Sequence, residues 1–249
     1  MQATSGRTAL RLGLFGSGKL GSVIARAAGD RLVWQVTRQA PPPQPVDVAI
    51  EASAGAAVGA RVDWALATRT PLVIGTTGWQ IDDLADRVGD RIGVVVAPNF
   101  SLAVLLLQRL TAVLARFCAL DPARDPYLIE QHAMTKHDAP SGTALLLART
   151  LLAGCPRKTG WRLGGPLAAH ELSLGVLRTG SSYSAHLVGM DAPAETIELR
   201  HAARGAMAFA DGALAAAEWI RTRKGVHGMD AVAAGVLDPL FAPPAGGAS

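Results

Sequence analysis

The chain has 249 residues, 49% of them apolar and 18% charged, so it has the composition of a folded protein with a sizeable core, not that of a disordered one. The formal net charge of +4 is mild and the basic residues are scattered; the cluster at 221–224 reads as the solvated end of a helix, so no nucleic-acid partner is expected. Apolar runs such as 94–97 and 102–107 break off far short of the ~18–20 residues a membrane span needs, so no membrane partner is expected either.

In chain order, the opening MQATSGRTAL lacks the long apolar stretch of a secretory signal and reads as a tail leading into the first strand. Strand 11–15 ends in glycines, and 19–28 reads as a helix. Strand 32–37 precedes a proline-rich stretch, 39–45, whose three successive prolines lack N–H donors and force a loop. Strand 46–53, helix 54–68, strand 71–77, helix 80–89 and strand 92–99 follow. Strands alternating with helices imply βαβ units and a parallel sheet. The second half differs: a long helix at about 101–118, strand 126–132, helix 141–153, then strands 172–179, 184–190 and 196–203 in antiparallel style. The Ala-rich helix 209–223 is expected to return to the first domain. Cys118 and Cys155 form no CxxC pair and read as small buried residues in a reducing compartment, so a cytoplasmic location is expected.

Gly16, Ser17, Gly18, Lys19, Leu20 and Gly21 form a GxGxxG pattern between a predicted strand and a predicted helix. Gly16 would make the tight turn, Gly18 would let backbone approach a pyrophosphate, and Gly21 would let helix and strand pack closely. The helix N-terminus would then direct its N–H groups at the phosphates. A merely structural tight turn is the competing reading. At the end of the second strand, Thr37 and Arg38 stand where an acidic residue would hold the ribose 2′-OH of NAD. A guanidinium suits a 2′-phosphate, so NADPH is the expected cofactor with NADH left open, against an exposed arginine of no special role. Gly75, Thr76 and Thr77 end the fourth strand and Ala97, Pro98, Asn99 and Phe100 the fifth, where they would face the nicotinamide half or serve as simple turns.

The stretch IEQHAMTKHDAPSGTALLLA, 129–148, packs His132, Lys136, His137 and Asp138 into seven positions before a turn and a helix. Ser141, Gly142 and Thr143 open that helix with exposed N–H groups, a ready carboxylate site. Lys136 beside it would reinforce anion binding and offers a proton; His132 can supply one near neutral pH. Residue chemistry alone leaves a polar loop before a Ser-capped helix as an equal reading. His137 reads as solvent-facing, and His186 and His201 as pocket contributors or ordinary strand residues. No His/Cys/Asp cluster has metal-ligand spacing, so no metal is expected.

Together these residues resemble the dihydrodipicolinate reductase family, NAD(P)H-dependent enzymes of bacterial lysine and diaminopimelate synthesis that reduce 4-hydroxy-tetrahydrodipicolinate to tetrahydrodipicolinate. The family signature is E-x-H-H-x-x-K-x-D-A-P-S-G-T-A. Here Glu130, His132, Lys136, Asp138 and the run Ala139–Ala144 match it. Agreement extends to the glycine loop, Gly75-Thr76-Thr77-Gly78, Ala97-Pro98-Asn99-Phe100-Ser101, Ile197-Glu198-Leu199 and Phe209-Ala210-Asp211-Gly212-Ala213, in order along essentially the whole chain. The resemblance implies an α/β fold: a Rossmann-type parallel sheet domain (1–100 and 208–249, dinucleotide-binding) and an inserted α+β domain with a mainly antiparallel sheet (101–207, substrate-binding and oligomerisation). It implies His132 and Lys136 as catalytic residues, Ser141, Gly142 and Thr143 as substrate carboxylate holders with position 133 beside them, and a homotetramer acting on a small dicarboxylate. Two departures stand out. Ala133 replaces a second histidine that contacts substrate carboxylate, a loss of about 1.5–3 kcal/mol for a hydrogen bond to a charged partner. Ser184-Ala185-His186 replaces Gly-Glu-His, so a carboxylate near the site is expected to be missing. The loop 39–45 also looks short for the family. A reductase of another cyclic imine carboxylate, or a non-catalytic nucleotide-binding relative, are the alternatives these departures leave.

Overall fold

A computed structural model of the chain describes residues 9–38 and 44–242. The opening tail through residue 8, residues 39–43 of the proline-rich loop and residues 243–249 lie outside the described residues. The chain divides into two compact units, one formed by residues 1–101 with 206–249 and the other by 102–205.

The first unit is built on β1 (Leu12–Phe15), α1 (Lys19–Ala28), β2 (Leu32–Val36), β3 (Val48–Glu51), α2 (Val58–Thr68), β4 (Leu72–Ile74), α3 (Leu84–Val88) and β5 (Gly93–Val96), and on the C-terminal elements α6 (Met207–Ile220), β11 (Gly225–Gly228) and α7 (Met229–Leu237). All six strands are parallel, in the order β11-β5-β4-β3-β1-β2. β1, β3 and β4 are buried throughout, as strands covered on both faces must be, which is why they read as continuous apolar runs. Phe15, Trp34, Val58, Val62, Leu72, Val88 and Val94 form the core on one face. On the other face α6 packs against α1, β3, β4 and β5 through Ala210, Gly212, Ala213, Ala216 and Ala217, small residues that permit close approach. The chain leaves β1 to β2 on one side and returns to β3 on the other, so the order reverses beside β1, where open α/β sheets bind ligands.

The second unit contains α4 (Leu102–Ala119), β6 (Asp125–His132), α5 (Gly142–Gly154), β7 (Gly160–Leu163), β8 (Glu171–Arg178), β9 (Ser184–Ala192) and β10 (Glu195–Ala203). Its sheet has the order β10-β9-β6-β8-β7. The α/β class stands, but this sheet is mixed and not mainly antiparallel: β10, β9 and β6 pair antiparallel, whereas β6–β8 and β7–β8 pair parallel. A parallel neighbour needs a crossover, and α5 supplies one after β6. Leu107, Leu114 and Cys118 of α4 and Leu147, Ala148 and Leu151 of α5 pack on Leu128, Leu172, Leu174 and Val188 of the sheet. Among the described residues α4 is the one helix long and apolar enough to span a membrane, but its buried stripe belongs to this core.

Elements β7, β11 and α7 are additions to the sequence reading. β11 has two glycines in four residues and shows no alternation; it forms because it adds alongside β5, from Gly225 opposite Gly93 to Gly228 opposite Val96.

Candidate active site

Every segment expected to contact a dinucleotide lies at the carboxyl edge of the parallel sheet. The in-register line Val36–Phe15–Glu51–Ile74–Val96 marks that edge, and 16–21, 37–38, 75–77 and 97–100 all follow it directly. Gly16 sits at φ 106°, a left-handed conformation that favours glycine, and a Cβ there would also run into the Ala52 carbonyl. A Cβ at Gly21 would run into the Gly16 carbonyl, so α1 lies against the turn as the motif requires. Gly18, the N-cap of α1, faces open space, so no neighbouring side chain crowds the helix start where phosphate oxygens would be received. Ser17, Gly18, Lys19, Thr37, Arg38, Thr77 and Pro98 are exposed; Leu20, Gly75, Thr76 and Asn99 are half-buried; Ala97 and Phe100 are buried. Phe100 and Leu20 close over Gly75, where a Cβ would clash with the Phe100 ring. The residues present fit a dinucleotide.

In the second unit the sequence signature folds around Glu130, which is fully buried on β6. Its carboxylate accepts the backbone N–H of Ser141 at 3.0 and 3.2 Å and Nη2 of Arg178 at 2.7 Å. Burial pushes the Glu130 carboxyl up, but the donors from Ser141 and Arg178 outweigh it and hold it below the usual carboxylate range. Oε2 lies 3.6 Å from His132 Nε2 and 3.8 Å from His186 Nε2, and the two rings meet edge to face at 5.4 Å. His186 comes from β9 directly opposite Glu130. Its Nε2 is 3.2 Å from the Ser141 hydroxyl, which also caps α5 by accepting from Ala144 N at 3.1 Å.

Arg178 carries the loop. Besides Glu130 it donates to the carbonyls of Asp138 at 2.6 Å and Lys136 at 3.3 Å, while Met134 N–H bonds to Gly180 and Thr179 N–H to His132. Lys136 Nζ rests on Asp138 at 2.7 Å, and that hydrogen bond holds the Asp138 carboxyl below its usual range. Burial lowers the His132 pKa below the ordinary histidine value, against the pull of Glu130 and with Lys136 and Arg178 adding to the fall; its Nε2 is buried with no hydrogen-bond partner among the described residues. His132, Lys136, Ser141 and the start of α5 thus come together, and His137 is exposed as expected. Within the predicted carboxylate cradle, Ser141 is buried and engaged at both its N–H and its hydroxyl, leaving Gly142 exposed and Thr143 half-buried. Ala133 offers only a methyl group beside a carbonyl that accepts from Lys136 N.

Ala185 corrects one expectation. It pairs with Gln131, whereas His186 pairs with Glu130, so Ala185 points to the opposite face of the sheet and its replacement of a glutamate removes nothing from this cluster. The metal expectation also needs restating. Glu130, His132 and His186 bring donor atoms within 4.8 Å of one another although His186 is distant in sequence, so ligand spacing could not reveal them. The carboxylate is already committed to Arg178 and Ser141, and the cationic Lys136 and Arg178 oppose a metal ion, so the arrangement reads as a hydrogen-bonded cluster. Arg178, and Glu130 as an anchor, carried no sequence signal of their own beyond the motif; a fixed offset to a strand partner is visible only once the strands pair.

Burial drives the His186 pKa down from 6.5 to about 4, with His132 as the next cause. The unfolded chain takes up this proton near 6.5 and the folded chain only near 4, so the stability contributed by neutral His186 is complete above that window and is lost as pH falls through it. The difference amounts to roughly 3 kcal/mol. Urea denaturation between pH 7 and pH 4 should show the wild type losing stability more steeply than His186→Gln. Parallel curves would mean that His186 is not held neutral by the fold.

A dinucleotide-type glycine turn in one unit, and an acid cluster beside a helix start in the other, is the construction of a dehydrogenase or reductase. The sequence matches the families described as "Dihydrodipicolinate reductase, N-terminus" over residues 33–100 and "Dihydrodipicolinate reductase, C-terminus" over residues 103–233. It is 35% identical to the 4-hydroxy-tetrahydrodipicolinate reductase of Zymomonas mobilis over 189 residues, covering 70% of this chain and 71% of that protein. Against the same-named protein of Myxococcus xanthus it is 39% identical over 167 residues, 64% of this chain and 61% of that one. The fold is similar to that of dipicolinate-bound dihydrodipicolinate reductase from Paenisporosarcina sp., with a TM-score of 0.71 at 18% identity, covering 89% of this chain and 98% of that one. The chain belongs to the dihydrodipicolinate reductase family, oxidoreductases of lysine biosynthesis.

Proposed function

We propose that the chain reduces 4-hydroxy-tetrahydrodipicolinate to tetrahydrodipicolinate with NADPH, in lysine and diaminopimelate synthesis in the cytoplasm. The observation that carries this reading is the convergence of His132, the Lys136 loop and the start of α5 on buried Glu130. In this reading unit 1 holds the dinucleotide: 16–21 would receive the pyrophosphate, Arg38 the 2′-phosphate, and Gly75–Thr77 with Ala97–Phe100 the nicotinamide half. Bound there, the dihydronicotinamide supplies a hydride. The remaining work falls to the second unit. Gly142 and Thr143 at the N-terminus of α5, reinforced by Lys136, hold one substrate carboxylate. Lys136 donates the proton that the nascent amine or carbanion needs, and His132, held next to it and close to the Glu130 carboxylate, is the second proton carrier. Asp138, now on Lys136, gives up that contact when a substrate carboxylate competes for the ammonium.

Intact His132 and Lys136 favour a working reductase over a non-catalytic relative, and Ala133 removes one hydrogen bond to the substrate without touching them. The assembly we propose is a homotetramer through the sheet face that α4 and α5 do not cover, where Ile129 and Leu177 stand exposed among Tyr127 and Leu187. The test follows NADPH oxidation with freshly generated 4-hydroxy-tetrahydrodipicolinate. Turnover is expected. A folded wild type that binds NADPH yet shows none, under conditions where another member of the family works, would assign it a different substrate.

A further inference from the structure

Glu51 closes β3 at the carboxyl edge of the parallel sheet and is fully buried, a costly place for a carboxylate inside an otherwise apolar layer. Its Oε1 accepts three hydrogen bonds: from Ser53 N at 2.7 Å, Ser53 Oγ at 2.5 Å and Thr76 Oγ1 at 3.0 Å. Among the described residues its Oε2 has no hydrogen-bond partner, and it looks across 3.9 Å at Nε of Arg61, which also has none there. Arg61 lies over the Phe15 ring at 4.3 Å and donates through Nη2 to the Thr37 carbonyl at 3.1 Å.

Around this pair the cofactor loops lean on one another. The turn at Gly16 abuts the Ala52 carbonyl, and Gly55 abuts the Gly78 carbonyl so closely that a Cβ would lie 2.5 Å from it. Segment 52–55, which Glu51 pins through Ser53, is therefore the common support of the 16–21 turn and the 75–78 loop. Through Thr76 and Arg61 the same carboxylate reaches the nicotinamide-side loop and the strand end that carries Arg38.

We propose that Glu51, with Arg61, is a positioning residue for the dinucleotide: it fixes the spacing of the three loops that bind the pyrophosphate, the adenosine ribose and the nicotinamide side. This rests on the reading that the edge binds NADPH. Unlike Arg38, which touches only the 2′-phosphate in that reading, Glu51 serves both NADPH and NADH.

Glu51→Gln keeps the shape but puts an amide donor opposite Arg61, and Arg61→Met keeps the packing on Phe15 while removing the guanidinium. Titrations of NADPH and NADH by tryptophan fluorescence should show both variants weakened about tenfold for both nucleotides, the loss expected when a buried charged group loses its opposite number. The double variant should be weaker than either by less than the product of the two effects. In turnover the KM for NADPH should rise more than kcat falls. Affinity for pyridine-2,6-dicarboxylate, read by calorimetry, should stay within about twofold, because the second unit is not part of this network. If Glu51→Gln fails to fold, Arg61→Met and Thr76→Val carry the same comparison. A wild type that binds neither nucleotide defeats the cofactor reading itself. A wild type that binds both, beside folded variants with unchanged affinities, overturns the role of Glu51.

Discussion

Lys136→Ala is expected to lower kcat by roughly 10²–10⁴-fold, the usual contribution of a positioned general acid. NADPH affinity, which in the proposed reading rests on loops of the first unit, should change by less than about twofold. The expectation rests on how little else Lys136 does. Its ammonium is bound to Asp138, an exposed carboxylate, and surface pairs of this kind contribute little to stability. The loop around it keeps its shape through backbone contacts: Lys136 N–H to the Ala133 carbonyl, and the Lys136 and Asp138 carbonyls to Arg178. Removing the side chain therefore deletes the proposed proton donor and anion contact and leaves the scaffold in place. Stopped-flow binding of NADPH, together with steady-state rates, separates the outcomes. Equal losses in turnover and cofactor affinity would make Lys136 a structural residue.

Arg178→Ala should be the most damaging single change to stability in the second unit, at about 3–5 kcal/mol, because it leaves Glu130 buried without its cation. The guanidinium also satisfies two loop carbonyls, so the Lys136 segment loses its anchor and activity falls along with stability. Denaturant unfolding of Arg178→Ala, Glu130→Gln and the double variant forms the check. The neutral amide at position 130 relieves the unpaired charge, so the double variant should be more stable than the sum of the two single effects predicts. Strict additivity would mean that the two side chains do not act on each other in the folded protein.

The signature around His132 and Lys136 was readable because its residues are contiguous: a strand end, a loop and a helix start keep their chemistry within seven positions and one turn. The glycine turn was equally readable, since the positive φ at Gly16 and the packing of Gly21 on the Gly16 carbonyl are local, although the closeness of Ala52 to Gly16 is not. Arg178 and Arg61 were not, and His186 stood only as one of two strand histidines that could line a pocket, because each gains its meaning from a partner on another strand or helix. Ala185 shows the same limit from the other side. The resemblance implies that its replacement of a glutamate removes a carboxylate near the site, yet neighbours along a strand face opposite ways, and pairing with Gln131 puts it on the far face from His186.

Sequence alone determined the α/β class and the family, and it singled out the residues proposed to bind phosphate, carry protons or hold a carboxylate, because these depend on local backbone geometry and side-chain chemistry. Only tertiary structure decided the mixed order of the second sheet and the strand 225–228 that closes the first. It alone also placed the buried carboxylates Glu51 and Glu130 at the centre of their clusters. Strand register and burial come from contacts between distant segments, and a carboxylate organises its surroundings only where the fold has removed water and supplied the donors.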